Sequence, residues 1–510
     1  MFLAMTLRAD LNDVTGVTAL RAVTTNLDGA GIRVAQPEGE LTNNPPTWLV
    51  TPSIVGQPGS LFTYTSRLGT TNVYPNSLGT NSWHAEAVGN VIYGNPQGVA
   101  TNLARVDNYE AEYFITGIVE TLTAISDPIV NQSFADNLIY QSYYDTNYDN
   151  YAAQYGTLFI SGAGNDAGLP TEPPSTCYNG ISVAAFGPGN ISCVGPTADN
   201  GRCKPDLTVP NPYTSFSTPY VSGAAVLLMQ AGLRGDGGTK TNLATDVRTL
   251  KALLLNGAVK PLGWTNGSSK PLDARHGAGL VNILNSYYQL AGGKQGSIVS
   301  NLVTAGAAHP PTGDPGTVAV LSGWDFGTNT SGASPSRDAI HHYYFNVTNN
   351  LSGAKFIATA TLVWNRHQNK TGINNLNLFL YNCANSNLIT CSTSLVDNVE
   401  HIYKTNLAQG RYDLQVWKAG GAGIVSTNET YALAWEFFAD TLAITKSGTN
   451  TALTWPVYPA SFLVEGTTNL LVPNWTTNNL AAASITNHLN RLPLNATNGN
   501  QFFRLRRPNF

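Results

Sequence analysis

The chain has 510 residues and a formal net charge of −4, and only 11% of its residues are charged. This length is too great for one ordinary domain and favours about three structural units. The low charge excludes the basic surface that nucleic acid or an anionic membrane would bind, and no apolar run approaches the roughly 20 residues of a membrane span.

Two segments in the first hundred residues place a titratable side chain at the end of a strand or the start of a helix. GAGIRVAQPEGE predicts a strand from Ile32 to Gln36 that stops at Pro37 and presents Glu38 at its carboxyl end. NSWHAEAVGNVIYG predicts a helix with one apolar face that Ser82 caps, and His84 lies in its first turn. His84 is a candidate general base, and Glu38 is a carboxylate that could orient it.

The segment GTLFISGAGND carries a candidate hydrogen-bond donor. It predicts a buried strand from Leu158 to Ser161 that runs into a glycine-rich turn with Asn165. An amide at this position can donate to an oxyanion.

The segment TSFSTPYVSGAAVLLMQAG predicts a helix that Ser217 or Thr218 caps, with Pro219 in its first turn and its end near Gly232. Ser215 then stands immediately before the helix, beside unpaired N–H groups and the positive end of the helix dipole. These groups stabilise a developing oxyanion, so Ser215 is a candidate nucleophile. Taken alone, the segment is more typical of a Ser/Thr-rich cap on a core helix.

Together the four segments resemble, in the same chain order, the motifs of the subtilisin-like serine proteases, or subtilases. TSFSTPYVSG resembles the nucleophile motif Gly-Thr-Ser-Met-Ala-Thr-Pro-His-Val-Ala-Gly, and HAEAVGNVIYG resembles the histidine motif His-Gly-Thr-His-Val-Ala-Gly. RVAQPEG resembles the strand that ends in the catalytic aspartate. The resemblance covers roughly residues 15 to 293. It implies Ser215 as nucleophile, His84 as base, Asn165 as oxyanion donor and Glu38 as the acid.

The resemblance also implies a fold, an activity and a location. The expected fold is an α/β catalytic domain with a mostly parallel sheet, and the expected activity is that of a secreted serine endopeptidase acting on polypeptides. Ser133 and the strand edge formed by Ser161, Gly162 and Gly164 are expected to line the cleft and pair with an extended peptide. The expected location is the exterior or the cell surface of a bacterium, although the opening residues MFLAM are too short for a signal-peptide core.

Departures from the family pattern leave two questions open. Glu38 stands where the family has aspartate; Glu40 or Asp28 could reach His84 instead, or the histidine could work without an acid. The loop before Ser215 is short. The alternative function is therefore a catalytically decayed subtilase scaffold that serves as a surface or binding protein.

After about residue 300 the sequence changes to short strands separated by Asn/Gly turns. This pattern predicts an antiparallel β-sandwich, which resembles the jelly-roll domains that follow some subtilase domains. We predict a catalytic domain over residues 1–300, a sandwich over 301–440 and a small β domain over 441–510, with a Pro/Gly linker at 305–316. A chain that ends near residue 300 is therefore expected to hold the whole active site.

No cofactor is expected, and no metal site is assigned. Many subtilases use calcium for stability, but Asp107, Glu110 and Asp166 show no calcium-loop spacing. The expected partners are polypeptide substrates, without nucleic acid or a membrane span, and the expected state is a monomer.

Five cysteines cannot all pair with one another. Cys193 with Cys203 and Cys383 with Cys391 could each close a short loop, with Cys177 left over, or all five could be free.

Overall fold

A computed structural model describes residues 10–187, 191–348, 355–439, 442–447, 450–456, 463–477, 484–486, 489–494 and 501–506. The MFLAM segment lies outside the described residues. Among the helices within those ranges, none combines the length and the apolar composition that a bilayer crossing requires.

Strands and helices alternate over the first 300 residues. The strands are β1 (Arg33–Glu38), β2 (Thr47–Leu49), β3 (Phe62–Thr65), β4 (Thr71–Val73), β5 (Thr80–Asn81), β6 (Arg105–Glu110), β7 (Ile129–Gln132), β8 (Leu158–Gly162), β9 (Ile181–Ala185) and β10 (Leu207–Val209). The α-helices are α1 (Leu11–Val14), α2 (Val17–Val23), α3 (Trp83–Ile92), α4 (Ala111–Tyr113), α5 (Gln141–Tyr155), α6 (Thr214–Arg234), α7 (Thr241–Ala244), α8 (Val247–Asn256) and α9 (Ile283–Ala291). Short 3-10 helices span Gly59–Leu61 and Leu138–Tyr140, and a π-helix spans Phe114–Val119.

An eight-stranded sheet organises this part of the chain in the order β10-β9-β8-β7-β1-β6-β3-β4. Neighbouring strands from β10 to β3 are parallel, and β4 pairs antiparallel with β3. Because parallel strands end at the same edge of a sheet, Glu38 at the end of β1, Ser133 after β7 and Asn165 after β8 lie along one edge. The predicted α/β fold class with a mostly parallel sheet is confirmed.

Alternate strand residues face two different apolar cores. Val34 and Ile160 belong to the core that contains residues of α3 and α6. Ala35 and Phe159 belong to the core that contains tyrosines of α5. This period of two is what a sheet covered on both faces requires, and it fixes the direction in which each polar strand residue points.

The β-rich region begins at β11 (Val299–Thr304). It continues with β12 (Ser322–Thr330), β13 (Arg337–Val347), β14 (Phe356–Trp364), β15 (Leu376–Asn382), β16 (Leu388–Ser392), β17 (Val399–Leu407), β18 (Gly410–Lys418) and β19 (Asn428–Ala439). Two antiparallel sheets result, in the orders β11-β13-β18-β15-β16 and β12-β19-β14-β17. Their facing side chains form one apolar core. The jelly-roll resemblance and the domain boundaries stay predictions.

The strands that follow are β20 (Ala443–Ser447), β21 (Asn450–Pro456), β22 (Leu463–Thr467), β23 (Thr476–Thr477), β24 (Ser484–Thr486), β25 (Leu489–Leu494) and β26 (Phe502–Arg506). They form two further antiparallel sheets.

The segment 305–316, expected to be a linker, connects β11 of one sandwich sheet to β12 of the other. It therefore lies within the sandwich. The sandwich also packs on the helices of the first 300 residues, because Trp324 of β12 is fully buried in the same apolar core as Leu254 of α8. The indole N–H of Trp324 donates to the carbonyl of Leu290 in α9 at 3.1 Å.

This contact changes the expectation for a shortened chain. Ending the chain at residue 296 should lower the melting temperature by roughly 10 °C or more relative to a chain ending at residue 439, because it uncovers α8 and α9. Each large apolar side chain that becomes exposed costs about 1.5–3 kcal/mol. Thermal melts followed by circular dichroism measure the difference. Equal melting temperatures would show that the sandwich contributes nothing to the stability of the α/β part.

All five cysteines are free in the structure. Cys391 of β16 stands opposite Phe379 of β15, so the register of the hairpin keeps it away from Cys383. The thiol of Cys193 lies 3.1 Å from the carbonyl of Asp166, and the Cys193–Cys203 pairing is not formed either.

Candidate active site

The helix that carries Ser215 begins earlier than predicted. α6 starts at Thr214, and Ser215 is its second residue. Ser217 donates to the carbonyl of Tyr213 at 3.1 Å, and Thr218 donates to the carbonyl of Thr214 at 2.8 Å. These hydroxyls therefore bond to the preceding turn, and the prediction that they cap the helix was wrong.

The end of α6 also differs from the prediction. The helix continues past Gly232 to Arg234, because Gly235 with φ 86° provides the left-handed residue that ends a helix.

Pro219 lies inside α6 without breaking it. Since proline has no backbone N–H, the carbonyl of Ser215, four residues earlier, has no donor within the helix. The hydroxyl of Ser133 donates to this carbonyl at 2.9 Å, and the hydroxyl of Ser215 donates in return to the carbonyl of Ser133 at 3.1 Å. The proline thereby allows the candidate nucleophile to be fixed to the end of β7.

Asn165 caps α6 from the neighbouring loop. Its Oδ1 accepts hydrogen bonds from the N–H of Thr214 at 2.9 Å and from the hydroxyl of Thr214 at 3.1 Å. Since the oxygen of the amide faces Thr214, its Nδ2 faces away from the helix. Within the described residues, neither this Nδ2 nor the N–H of Ser215 has a hydrogen-bond partner, so two donors are available for an oxyanion.

His84 lies in the first turn of α3, which Ser82 caps as predicted, with its hydroxyl accepting from the N–H of Ala85 at 3.3 Å. His84 Nδ1 lies 2.9 Å from Oε2 of Glu38. The Glu38 side chain is 2% exposed and that of His84 is 18% exposed. The imidazole ring also contacts the ring of Phe216, with centroids 5.8 Å apart, which brings His84 beside the residue that follows Ser215.

Among the three candidate acids, the carboxylate that contacts His84 in the described structure is that of Glu38. Asp28 accepts from the N–H of Ala30 at 3.1 Å and from the side chain of Asn102 at 3.2 Å. Glu40 makes no hydrogen bond to His84 within the described residues.

Two buried side chains that the sequence analysis missed hold Glu38 in place. Gln36 Nε2 donates to Glu38 Oε1 at 2.8 Å and to the carbonyl of Ala85 at 3.0 Å. The hydroxyl of Tyr93 donates to Gln36 Oε1 at 2.5 Å. The available signal was a glutamine two residues before Glu38, which a strand places on the same face of the sheet.

The prediction that the strand carrying Glu38 stops at Pro37 was wrong. The strand continues through Pro37 to Glu38. β1 pairs with β7 at Val34 and Ala35 and not beyond. At Pro37 the strand therefore has a partner on one side, a position where a missing N–H is tolerated.

A row of aromatic rings beside His84 also escaped the sequence analysis. Trp83 is 65% exposed and Tyr213 is 48% exposed. Ring contacts run from Trp83 to His84 at 5.7 Å and from Phe216 to Tyr213 at 6.2 Å. No periodicity marks these residues, because they come from two separate segments.

The residues predicted to line the cleft lie in different surroundings. Ser133 contacts Ser215, as described. Ser161 is paired on both sides, with Gln132 of β7 and Ser182 of β9, and its buried hydroxyl donates to Gln132 at 3.0 Å. Gly162 is paired with Val183 of β9. Ser161 is therefore not part of a free strand edge, because β8 lies between β7 and β9 in the sheet, whereas the pairing of Gly162 and Gly164 with a peptide stays a prediction. Gly164 has φ 103°, and a side chain there would clash with Glu172 and Cys193.

The surroundings of His84 shift its titration. Burial lowers the pKa of His84, but the hydrogen bond and the charge of Glu38 raise it, and the net result is a pKa above the ordinary value of 6.5. Because a general base must be neutral, kcat/KM should fall as the pH drops through this raised pKa. In Glu38→Gln the burial remains and the charge is lost, so the acid limb of the profile should move to lower pH. Profiles of kcat/KM from about pH 5 to 9 for the wild type and Glu38→Gln test this shift. If the acid limb lies at the same pH in both enzymes, it does not report the titration of His84.

No metal site is assigned. Across the ranges described, no group of three or more His, Cys, Asp or Glu side chains could hold a metal ion. Asp107 pairs with Arg33 at 2.5 Å, Glu110 caps its own short helix, and Asp166 accepts from the N–H of Gly168 at 3.0 Å.

The model of the subtilase family matches residues 70–279. The chain therefore carries a subtilase domain. The matched range includes His84, Asn165 and Ser215, whereas Glu38 lies before its start. No match was found among curated proteins.

Several solved structures are similar to this chain. The prenylagaramide maturation protease PagA is 21% identical, with a TM-score of 0.38, over 55% of this chain and 99% of its own. The patellamide maturation protease PatA is 22% identical, with a TM-score of 0.35, over 52% and 98%. Tripeptidyl peptidase 2 is 11% identical, with a TM-score of 0.34, over 80% and 48%.

Proposed function

We propose that the chain is a serine endopeptidase in which Ser215 is the nucleophile, His84 the general base and Glu38 the third member of the triad. The observation that carries the proposal is the 2.9 Å contact between Glu38 and His84 Nδ1, at the edge of the sheet where Ser215 and Asn165 also lie. A glutamate keeps the charge of the usual aspartate and adds one methylene, and Gln36 fixes the longer side chain by a hydrogen bond to its second oxygen.

The contacts support a defined sequence of proton transfers. Glu38 holds the proton of His84 on Nδ1, so Nε2 is free to accept a proton. The hydroxyl of Ser215 rotates from the carbonyl of Ser133 to Nε2, loses its proton and attacks the scissile carbonyl carbon. His84 then returns the proton to the leaving nitrogen, and water releases the acyl group by the same steps in reverse.

The negative charge that develops on the carbonyl oxygen needs donors that are already in place. Asn165 Nδ2 and the N–H of Ser215 are the two donors that have no other partner within the described residues. Because they lie at the start of α6, the helix dipole adds to the stabilisation.

The proposal includes secretion as a monomer to the exterior or the cell surface of a bacterium. The low fraction of charged residues supports it. The alternative function, a catalytically decayed scaffold, has less support. Glu38 in place of aspartate had suggested decay, but Glu38 contacts His84.

Incubation of the purified chain with denatured casein tests endopeptidase activity. Mass spectrometry of the products should identify peptides with two internal termini, and a serine-reactive sulfonyl fluoride should abolish their formation. Products shortened stepwise from one terminus would instead indicate an exopeptidase.

Two variants of Asn165 separate its roles as donor and as helix cap. Asn165→Asp keeps an oxygen on Thr214 but replaces the Nδ2 donor by a second oxygen, so kcat should fall by about two to three orders of magnitude with the melting temperature retained. Asn165→Ala should lose a similar factor in kcat and also about 1 kcal/mol of stability, because the cap is removed.

Steady-state kinetics with a peptide p-nitroanilide and thermal melts measure both effects. An Asn165→Asp variant with wild-type kcat would limit Asn165 to capping the helix.

A further inference from the structure

The residue that precedes the cleaved bond has a predictable place in this site, given the proposed function. The sheet order β9-β8-β7-β1 puts Glu38 and His84 on one side of β7 and Asn165 on the other. His84 must reach the leaving nitrogen, so the leaving part of the substrate lies toward β1. The acyl part then lies toward β8, over the gap between the loops that follow β7 and β8.

The floor of this gap is formed by Glu172 and Pro173. The N–H of Glu172 donates to the carbonyl of Ala163, in the loop after β8, at 2.9 Å. The carbonyl of Pro173 accepts from the N–H of Asp136, in the loop after β7, at 2.8 Å. Glu172 and Pro173 therefore connect the loop after β8 to the loop after β7, which are the two loops that flank Ser215.

The carboxylate of Glu172 lies against the loop that carries Asn165. A methyl group added at Gly164 would collide with Oε2 of Glu172, so the carboxylate occupies the space directly under Gly164. Glu172 is partly exposed to solvent.

Among the described residues, two further carboxylates, those of Asp166 and Asp136, act on the carboxylate of Glu172. Burial together with the charges of Asp166 and Asp136 raises the pKa of Glu172, against a hydrogen bond from Cys193 that lowers it. Asp166 lies in the loop after β8, and Asp136 lies in the loop after β7. A positively charged group entering the gap would therefore relieve repulsion among three carboxylates.

We propose that Glu172 is a specificity-determining residue that selects Lys or Arg immediately before the scissile bond. The long aliphatic part of either side chain suits the gap between the two loops, and its charged end meets the carboxylate at the floor. An acidic residue at the same position would add a fourth negative charge and be rejected.

A series of peptide p-nitroanilides that differ only in the residue before the scissile bond tests the proposal. The Arg or Lys peptide should exceed the Leu peptide in kcat/KM by about tenfold or more, and the Glu peptide should be the poorest. In Glu172→Gln the Arg-to-Leu ratio should fall to near one. Glu172→Arg should raise the Glu-to-Arg ratio above that of the wild type, a reversal that loss of folding cannot produce.

The matched control is Asp314→Asn, which removes one negative charge from a side chain that is 79% exposed in the sandwich. It should keep the wild-type Arg-to-Leu ratio. A wild-type enzyme that a fluorophosphonate labels, but whose Arg-to-Leu ratio is near one or is unchanged in Glu172→Gln, would overturn this inference alone. A wild type that is not labelled would reject the proposed function and this inference with it.

Discussion

Ser215→Ala is expected to lower kcat by roughly six orders of magnitude, because the remaining residues cannot form the acyl-enzyme. The loss should occur without a large change in stability. The hydroxyl of Ser215 makes a single described hydrogen bond, to the carbonyl of Ser133 at 3.1 Å, and the carbonyl of Ser215 keeps its bond from Ser133. Steady-state kinetics and a thermal melt of the same preparation measure both quantities.

Ser217→Ala is the matched control for this variant. Ser217 lies two residues further along α6, and its hydroxyl donates to the carbonyl of Tyr213. It should retain kcat within a few fold of the wild type. Equal activity of Ser215→Ala and Ser217→Ala would exclude Ser215 as the nucleophile.

Glu38→Gln is expected to cost roughly four orders of magnitude in kcat. The reason lies in the fixed orientation of Gln36, whose Oε1 accepts from Tyr93 and whose Nε2 therefore faces residue 38. The new amide would turn its oxygen toward Gln36 and its N–H₂ toward His84. Nδ1 of His84 would then accept a hydrogen bond, and its proton would move to Nε2, where the base is needed.

Three further variants test this argument about the acid. Glu38→Asp restores the charge of the family's usual acid but shortens the side chain, so it should lie between the wild type and Glu38→Gln. Glu40→Gln and Asp28→Asn should stay within about threefold of the wild type, since neither residue contacts His84. Severe impairment of either of these two, with Glu38→Gln near wild-type activity, would move the acid elsewhere.

The sequence was sufficient to predict the parallel sheet, and it also predicted that four polar residues of the candidate site stand at strand ends and helix starts. Both predictions depend on local features. Glu38 follows an apolar strand, His84 and Ser215 stand at the starts of helices, and Asn165 follows a glycine-rich turn. Because parallel strands end at one edge, residues at strand ends converge wherever the sheet forms.

The start of α6 could not be predicted from local preferences, because its cap comes from another segment. Ser217 and Thr218 are favoured cap residues, yet Asn165, far away in the sequence, accepts from Thr214 and allows the helix to begin earlier. The same limit applies to Gln36, whose role depends on Tyr93 and on the rotamer that this contact selects.

The contact between the sandwich and the helices could also not be predicted from sequence patterns. In the sequence, Trp324 looks like an ordinary strand residue. The apolar face of α8 is equally compatible with packing on the sheet of the first 300 residues. Which partner covers an apolar face is set by tertiary structure, since the hydrophobic effect has no direction.

The central claim is that Ser215 is an activated nucleophile, and reaction with a fluorophosphonate probe tests it most directly. The probe phosphonylates no ordinary serine, because displacement of its fluoride by the serine oxygen requires a general base and an oxyanion pocket acting together. The wild type should acquire one covalent label, located on Ser215 by peptide mass spectrometry, and Ser215→Ala should acquire none. A folded wild type that remains unlabelled, or that carries the label on another residue, would contradict the account.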